Sequence, residues 1–245
     1  MYPASYEVPP REERSAIVLT IKDVYEIFDE IGCCSFATLD GAGGIESRIA
    51  HFFAYDEEGL YLRTMDVKPF YAQLVAGGKV SVCGEKTEAP CAWDEDNMPH
   101  FQPGYMMRVT GEVRLLTSDE VAEKAASNPM FNVAVYDIKK YPETVVFVLE
   151  RAHGELYDYD FNMVHRDHKI LRERFAWGGD TFVAPGLTID PDRCIACGAC
   201  AQACTHKAIV AGENGGAYRI WGERCDECGN CYHVCPAGAV VSKGI

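Results

Sequence analysis

RCIACGACAQACTHKAI, residues 193 to 209, holds four of the chain's twelve cysteines in the spacing C-x2-C-x2-C-x3-C. CDECGNCYHVCP, residues 225 to 236, repeats that spacing 31 residues further on, so the C-terminal part of the chain is an internal repeat. Cysteines this close let a tight loop wrap three thiolates around one face of a metal centre, while the three-residue gap starts a helix that carries the fourth away. Zinc takes four ligands at more variable spacing and does not call for eight in duplicate. A disulfide framework belongs to small secreted chains, whereas here eight cysteines crowd into the last quarter of 245 residues.

From about residue 186 onward the chain resembles a bacterial two-cluster 4Fe-4S ferredoxin. That resemblance implies that Cys194, Cys197, Cys200 and Cys235 hold one cluster, and that Cys225, Cys228, Cys231 and Cys204 hold the other. One departure stands out. Pro236 follows the second run, but Thr205 occupies the matching place in the first, which bears on local rigidity and on hydrogen bonding around a sulfur. Cys33, Cys34, Cys83 and Cys91 fall in no such pattern and read as small buried hydrophobes.

The rest of the composition sets bounds. Hydrophobic residues make up 48% of the chain, ample for a core. The net charge of −14 argues against a nucleic-acid partner, because a phosphate backbone selects Lys and Arg. Most of that charge precedes residue 186: beyond it six acids (Asp190, Asp192, Glu213, Glu223, Asp226, Glu227) face five bases (Arg193, Lys207, Arg219, Arg224, Lys243), a net of −1. The longest early apolar run, AIVLTI, is six residues and charges follow it, so neither a signal peptide nor a membrane span is read. Free thiols at metal-ligand spacing suit a reducing compartment, and the expectation is cytoplasmic.

Ahead of the repeat, residues 1–19 read as an extended arm. In TIKDVYEIFDEIG, Thr20 as N-cap, Asp23 three residues on, apolar Ile21, Val24, Tyr25, Phe28 and Ile31, and Gly32 as a stop predict a helix. Short β-type runs follow, with turns at Asp40-Gly41 and Glu58-Gly59; the glycines at 41, 43 and 44 fit a hairpin better than a phosphate loop, since no helix opens after them. VKPFYAQLVAGG reads as a short helix, YMMRVTGEVRLL as a long strand, SDEVAEKAASN as a helix capped by Ser118, and TVVFVLERAHGELYDYDF as one or two closing strands. At least five strands without regular strand-helix alternation predict a mainly β, α+β unit over 20–157, an antiparallel β-barrel. Residues 158–188 mix charges with WGGD and APGL and read as a linker, leaving 189–245 as the ferredoxin-like domain.

Single-electron clusters are often fused to a flavin that converts between one- and two-electron chemistry. Arg48, Arg63, Thr64 and Lys68, on neighbouring strands and at a helix start, are candidates for holding its phosphate. The segment is similar to the FMN-binding split barrel of pyridoxamine 5′-phosphate oxidase and its relatives. Arg48, Ile49, Ala50 and His51 fall on the family's first motif, Arg63-Thr64 on its second and Lys68 on its third, with Tyr105 to Gly111 matching a further strand. Met106 stands where the family has a flavin-contacting glutamine, and Arg63 where it has an aromatic; these departures argue against pyridoxamine phosphate as substrate. The resemblance implies FMN beside the two 4Fe-4S clusters, a homodimer, a redox partner protein of ferredoxin or reductase type, and an anaerobic mode of life. The expected function is electron transfer between clusters and FMN, reducing a small organic acceptor. Two alternatives stay open: an electron-transfer module without its own substrate, and a barrel that binds haem or a deazaflavin or senses a ligand.

Overall fold

The structure, a computed structural model, describes residues 19–87, 92–97, 99–100, 104–159, 171–181, 186–222 and 225–243. All but the last residue of the arm read at 1–19 lies outside these ranges, as does Cys91. Helix α1 (Ile21–Ile31) starts as the sequence predicts: the Thr20 hydroxyl accepts from the Asp23 N–H while the Asp23 carboxylate accepts from the Thr20 N–H, and Gly32 closes the helix with φ +81°.

Ten strands and three further helices follow: β1 (Cys34–Leu39), β2 (Ile45–Ala50), β3 (Ala54–Tyr55), β4 (Leu60–Met65), α2 (Pro69–Gly77), β5 (Lys79–Thr87), β6 (Ala92–Trp93), β7 (Pro99–His100), β8 (Gly104–Leu115), α3 (Ser118–Ser127), α4 (Asn132–Lys140), β9 (Thr144–Tyr159) and β10 (Leu171–Trp177). Strands β6 and β7 form a small separate hairpin. The others build one antiparallel sheet in the order β2-β1-β5-β8-β9-β4-β3, with β10 added on β9. Helix α1 touches both β5 and β3, which lie far apart in that order, so the sheet curls and α1 plugs the gap of a split barrel. Tyr25 of α1 lies 4.9 Å from Tyr55 of β3, ring to ring, and Gly84 of β5 has no side chain because a Cβ there would fall 2.8 Å from Ile31. Phe28, Phe36, Phe52, Leu62, Val82, Val109 and Phe147 fill the interior. On the outer face, α3 and α4 bring Val121 and Ala134 down onto Tyr61, Val146 and Val148.

One irregularity divides the work of β9. Pairing with β8 passes from Glu112↔Arg151 to Val113↔Leu149, leaving Glu150 as a bulge. A single extra residue flips side-chain parity: Phe147 and Leu149 point inward before it, Ala152 after it. The first half of β9 pairs with β4 and the second with β10, where Glu155 and Tyr157 stand on the face away from the interior.

The ferredoxin-like part comprises β11 (Leu187–Ile189), α5 (Ala199–Ala203), β12 (Ile209–Val210), β13 (Arg219–Ile220), α6 (Asn230–Val234) and β14 (Val240–Ser242), with β11 pairing β14 and β12 pairing β13. Among the described residues no helix is long and apolar enough to cross a membrane.

Four sequence expectations change. Residues 171–177, read as linker, are strand β10: Phe175 lies over Gly154, where a Cβ would meet its ring at 2.5 Å, and the Trp177 Nε1–H donates to the Leu149 carbonyl at 3.0 Å. Helix α4 was not expected, because its Val133, Val135, Tyr136 and Ile138 carry β-type propensity that packing on the barrel overrides. Helix α3 is capped by Thr117, not Ser118, since only Thr117 has an acid at N3 to complete a capping box with Glu120. Among the three unpatterned cysteines described, Cys33 and Cys83 are exposed and Cys34 is buried.

The Thr117 cap carries a prediction. Glu120 accepts from the Thr117 backbone N–H and from Arg114, which together hold its pKa at about 2. A depressed carboxylate contributes stability above its unfolded pKa, and loses it as pH falls through the folded value. Thr117→Ala is expected to cost about 1 kcal/mol at neutral pH, and Glu120→Gln to remove stability at pH 7 but not at pH 2, both read from thermal unfolding.

Candidate cluster sites and the barrel edge

The eight patterned cysteines line two recesses. The first is walled by Cys194, Cys197, Cys200 and Cys235, the second by Cys204, Cys225, Cys228 and Cys231. Each run therefore contributes three thiols to one recess and its fourth to the other. Among the described residues no three potential ligands converge tightly enough for a single ion. Four thiols around one recess, three from one run and the fourth from the other, suit a four-iron cube.

The two loops are built alike. Ala196 and Glu227, at matching places, adopt φ +54° and +58°, and Gly198 and Gly229 follow at +76° and +82°. Left-handed backbone at a non-glycine residue is costly, so its recurrence in both halves marks a loop shaped by what it encloses. Helices α5 and α6 then carry Cys204 and Cys235 across. The Thr205 departure leaves no trace in the backbone: Lys207 N donates to Cys204 O at 3.2 Å just as Gly238 N donates to Cys235 O at 3.2 Å. Backbone amides also point at sulfur, Ala208 N to Cys204 at 3.3 Å, Ala239 N to Cys235 at 3.2 Å and Glu227 N to Cys225 at 3.4 Å. Burial pushes the Cys231 thiol up to about 11 and raises Cys200 and Cys225, so thiolates there need a cation for company. At Cys235 burial acts upward too, but the amides of Ala239, Val240, Ala237 and Gly238 outweigh it and hold the thiol below its ordinary value. This donor set fits two 4Fe-4S clusters.

The barrel candidates divide between faces. Arg48, on β2, donates to Thr38 Oγ1 and to Gln73 Oε1 of α2, both at 2.6 Å, and lies 4.4 Å from the Phe70 ring centroid. Its role is to tie β2 to α2. Ile49 and His51 are exposed, Ala50 is half-buried against the core, and Thr64 is buried on the inward side of β4. Lys68 is the N-cap residue of α2 and exposed, and its ammonium makes no hydrogen bond or ion pair to the described residues. Arg63 does not join them. Strand alternation turns it outward, where its Nε pairs with Asp137 of α4 at 3.1 Å and its guanidinium lies over Phe53.

A group that sequence reasoning missed joins the two parts of the chain. Glu155 of β9, 4% exposed, receives Arg108 of β8 at 2.8 Å, Arg172 of β10 at 3.1 Å and Arg174 of β10 at 3.5 Å. Cross-strand register sets this up, Arg108 and Arg174 both lying opposite Glu155. From the second cysteine loop, Glu227 meets Arg172 at 3.4 Å and Asp226 accepts from the Tyr157 hydroxyl at 2.6 Å, with His206 Nε2 3.5 Å from its other oxygen. Gly222 leaves room for Arg174, whose Nη1 would lie 2.8 Å from a Cβ there. Three arginines and one carboxylate on the barrel thus face two carboxylates on the loop, and the six charges balance. The one hint in sequence is the alternation Leu171, Glu173, Phe175, Trp177 with Arg172 and Arg174 between.

The family model of a 4Fe-4S dicluster domain matches residues 187–242. Among solved structures, a NimC/NimA family protein from Clostridium acetobutylicum is similar at 20% identity and TM-score 0.44, covering 64% of this chain and 91% of that one. HutZ, the haem storage protein of Vibrio cholerae, is similar at 14% identity and TM-score 0.38, covering 55% and 90%. PhzG from Burkholderia lata, in complex with tetrahydrophenazine-1-carboxylic acid, is similar at 15% identity and TM-score 0.39, covering 60% and 81%. No curated protein matches the chain.

Proposed function

We propose that the chain is a flavo-iron-sulfur oxidoreductase in which two 4Fe-4S clusters exchange electrons with an FMN on the barrel, and which reduces a small organic acceptor. The observation that carries this is the pair of four-thiol recesses, one of which is tied to the barrel by a charge seam, an arrangement suited to moving electrons within one chain. The clusters supply one-electron steps, and a flavin supplies the exchange between one and two electrons.

Lys68 and the Phe70 N–H are the groups read as meeting the flavin phosphate: Pro69 has no N–H and the Tyr71 and Ala72 amides donate to the Lys68 carbonyl, so Phe70 keeps the orphan donor of the α2 start. Thr64 is buried on the same strand end, and Arg48 holds β2 against α2 through Gln73. Exposed Leu39, Ile45, Ile49 and Val67 lie nearby on β1, β2 and the approach to α2, and support a homodimer that buries them around the cofactor. Arg63 serves structure rather than phosphate in this reading. Haem, which HutZ of Vibrio cholerae stores, is the competing occupant.

Protein purified without oxygen is expected to carry about eight irons and one FMN per chain. Lys68→Ala should lose most of the flavin and keep the iron, while Arg63→Ala should keep both. Zinc in place of iron, or a Soret band in place of flavin absorption, would overturn the corresponding half. A relay without its own substrate would pass electrons between proteins but turn over no small acceptor.

A further inference from the structure

We propose that the charge seam makes the two clusters unequal: the recess of Cys204, Cys225, Cys228 and Cys231 is the barrel-side terminus of the chain's electron path, and the recess of Cys194, Cys197, Cys200 and Cys235 is the outward port. The geometry is one-sided. Asp226 and Glu227 line the second recess and are the residues that grip Tyr157 and Arg172 of the barrel. His206, which lines the same recess, braces Asp226 from behind. Among the described residues, none of those lining the first recess makes a hydrogen bond or ion pair to a barrel strand.

Two consequences follow for this chain's own residues. Cys225 and Asp226 are neighbours in sequence, and the Asp226 carboxylate accepts the Tyr157 hydroxyl at 2.6 Å, so a covalent and hydrogen-bonded route runs from a thiol of the second recess into β9. Arg172, beside Glu227, also places a fixed positive charge next to the loop of Cys225. Charge near an iron-sulfur centre tunes its potential, since a cation favours the reduced, more negative form and an anion opposes it. Arg172 and Glu227 are therefore positioning residues whose removal shifts one cluster in opposite directions. The first cluster lies away from the seam and feels both less.

The proposal uses the paired-cluster part of the reading above and not the flavin, so the test is made on the clusters. In the anaerobically purified full chain, the two reduced-cluster signals are first assigned by electron paramagnetic resonance, using Cys197→Ser to perturb the first recess and Cys228→Ser the second. Redox titration then follows each signal in Arg172→Gln, Arg172→Lys and Glu227→Gln, with iron content measured alongside. Arg172→Gln is expected to lower the midpoint of the second-recess signal, Glu227→Gln to raise it, and Arg172→Lys, which keeps the charge, to restore most of the shift; the first-recess signal moves less throughout. Equal shifts in both signals, a shift confined to the first, or no shift in either would overturn the proposal. Should Arg172→Gln fail to retain clusters, Glu227→Gln on the loop side decides alone. A chain that proves to lack flavin would leave these outcomes untouched and count against the proposed function only.

Discussion

Glu155→Ala is expected to be the most damaging single substitution in the barrel that leaves its core untouched. Glu155 is nearly fully buried, and Arg108, Arg172 and Arg174 all converge on its carboxylate. Arg172 and Arg174 are themselves only 11% and 21% exposed, so water cannot replace the lost partner. Removing one member of a buried ionic group strands the others, at a cost of about 3–5 kcal/mol. The damage should be directional. Two loop carboxylates would be left to balance three guanidiniums, and the contact between barrel and cysteine loops should loosen before either part unfolds. Heating would then show two transitions in the variant against one in the parent, and limited proteolysis would cut near the seam. A variant that melts at the parent's temperature in a single step would show that the seam contributes packing rather than charge.

Cys204→Ser is expected to have the second largest effect, and in a counterintuitive place. Cys204 belongs to the first sequence motif but lines the recess of the second. The substitution should destabilise the cluster of Cys225, Cys228 and Cys231, reducing iron from about eight atoms per chain toward four, while the signal that depends on Cys197 persists. Cys235→Ser should do the reverse, because Cys235 lines the first recess. Loss of the Cys197-dependent signal in Cys204→Ser would mean that each motif serves its own cluster.

The legibility of the chain follows from where each signal's physics resides. Local rules carried the cysteine runs, the α1 capping box and the Asp40 hairpin, where Asp40 Oδ1 accepts from the amides of Ala42 and Gly44. Each of these is decided within a few residues of itself. Strand β10 failed that test because Arg172 and Arg174 imitate a solvated surface; their partners lie 17 and more residues away, in Glu155 and Glu227. The direction of Arg63 was lost for a simpler reason. Adjacent strand residues point to opposite faces, and only the packing of α4 tells which side of β4 is which. Arg48 reads from sequence as a phosphate candidate, and its contacts with Thr38 and Gln73 are fixed by register and by α2, beyond what a motif shows.

The exchange of the fourth cysteine between recesses also bears on how the protein is made. The first recess has its three clustered thiols by residue 200 but lacks a fourth wall until Cys235 has been synthesised, and the second waits for Cys231. No prefix of the chain short of residue 231 can hold a complete set of thiols for either centre. Metal loading therefore follows synthesis of the whole barrel, and iron supply acts on a barrel that has already had time to fold.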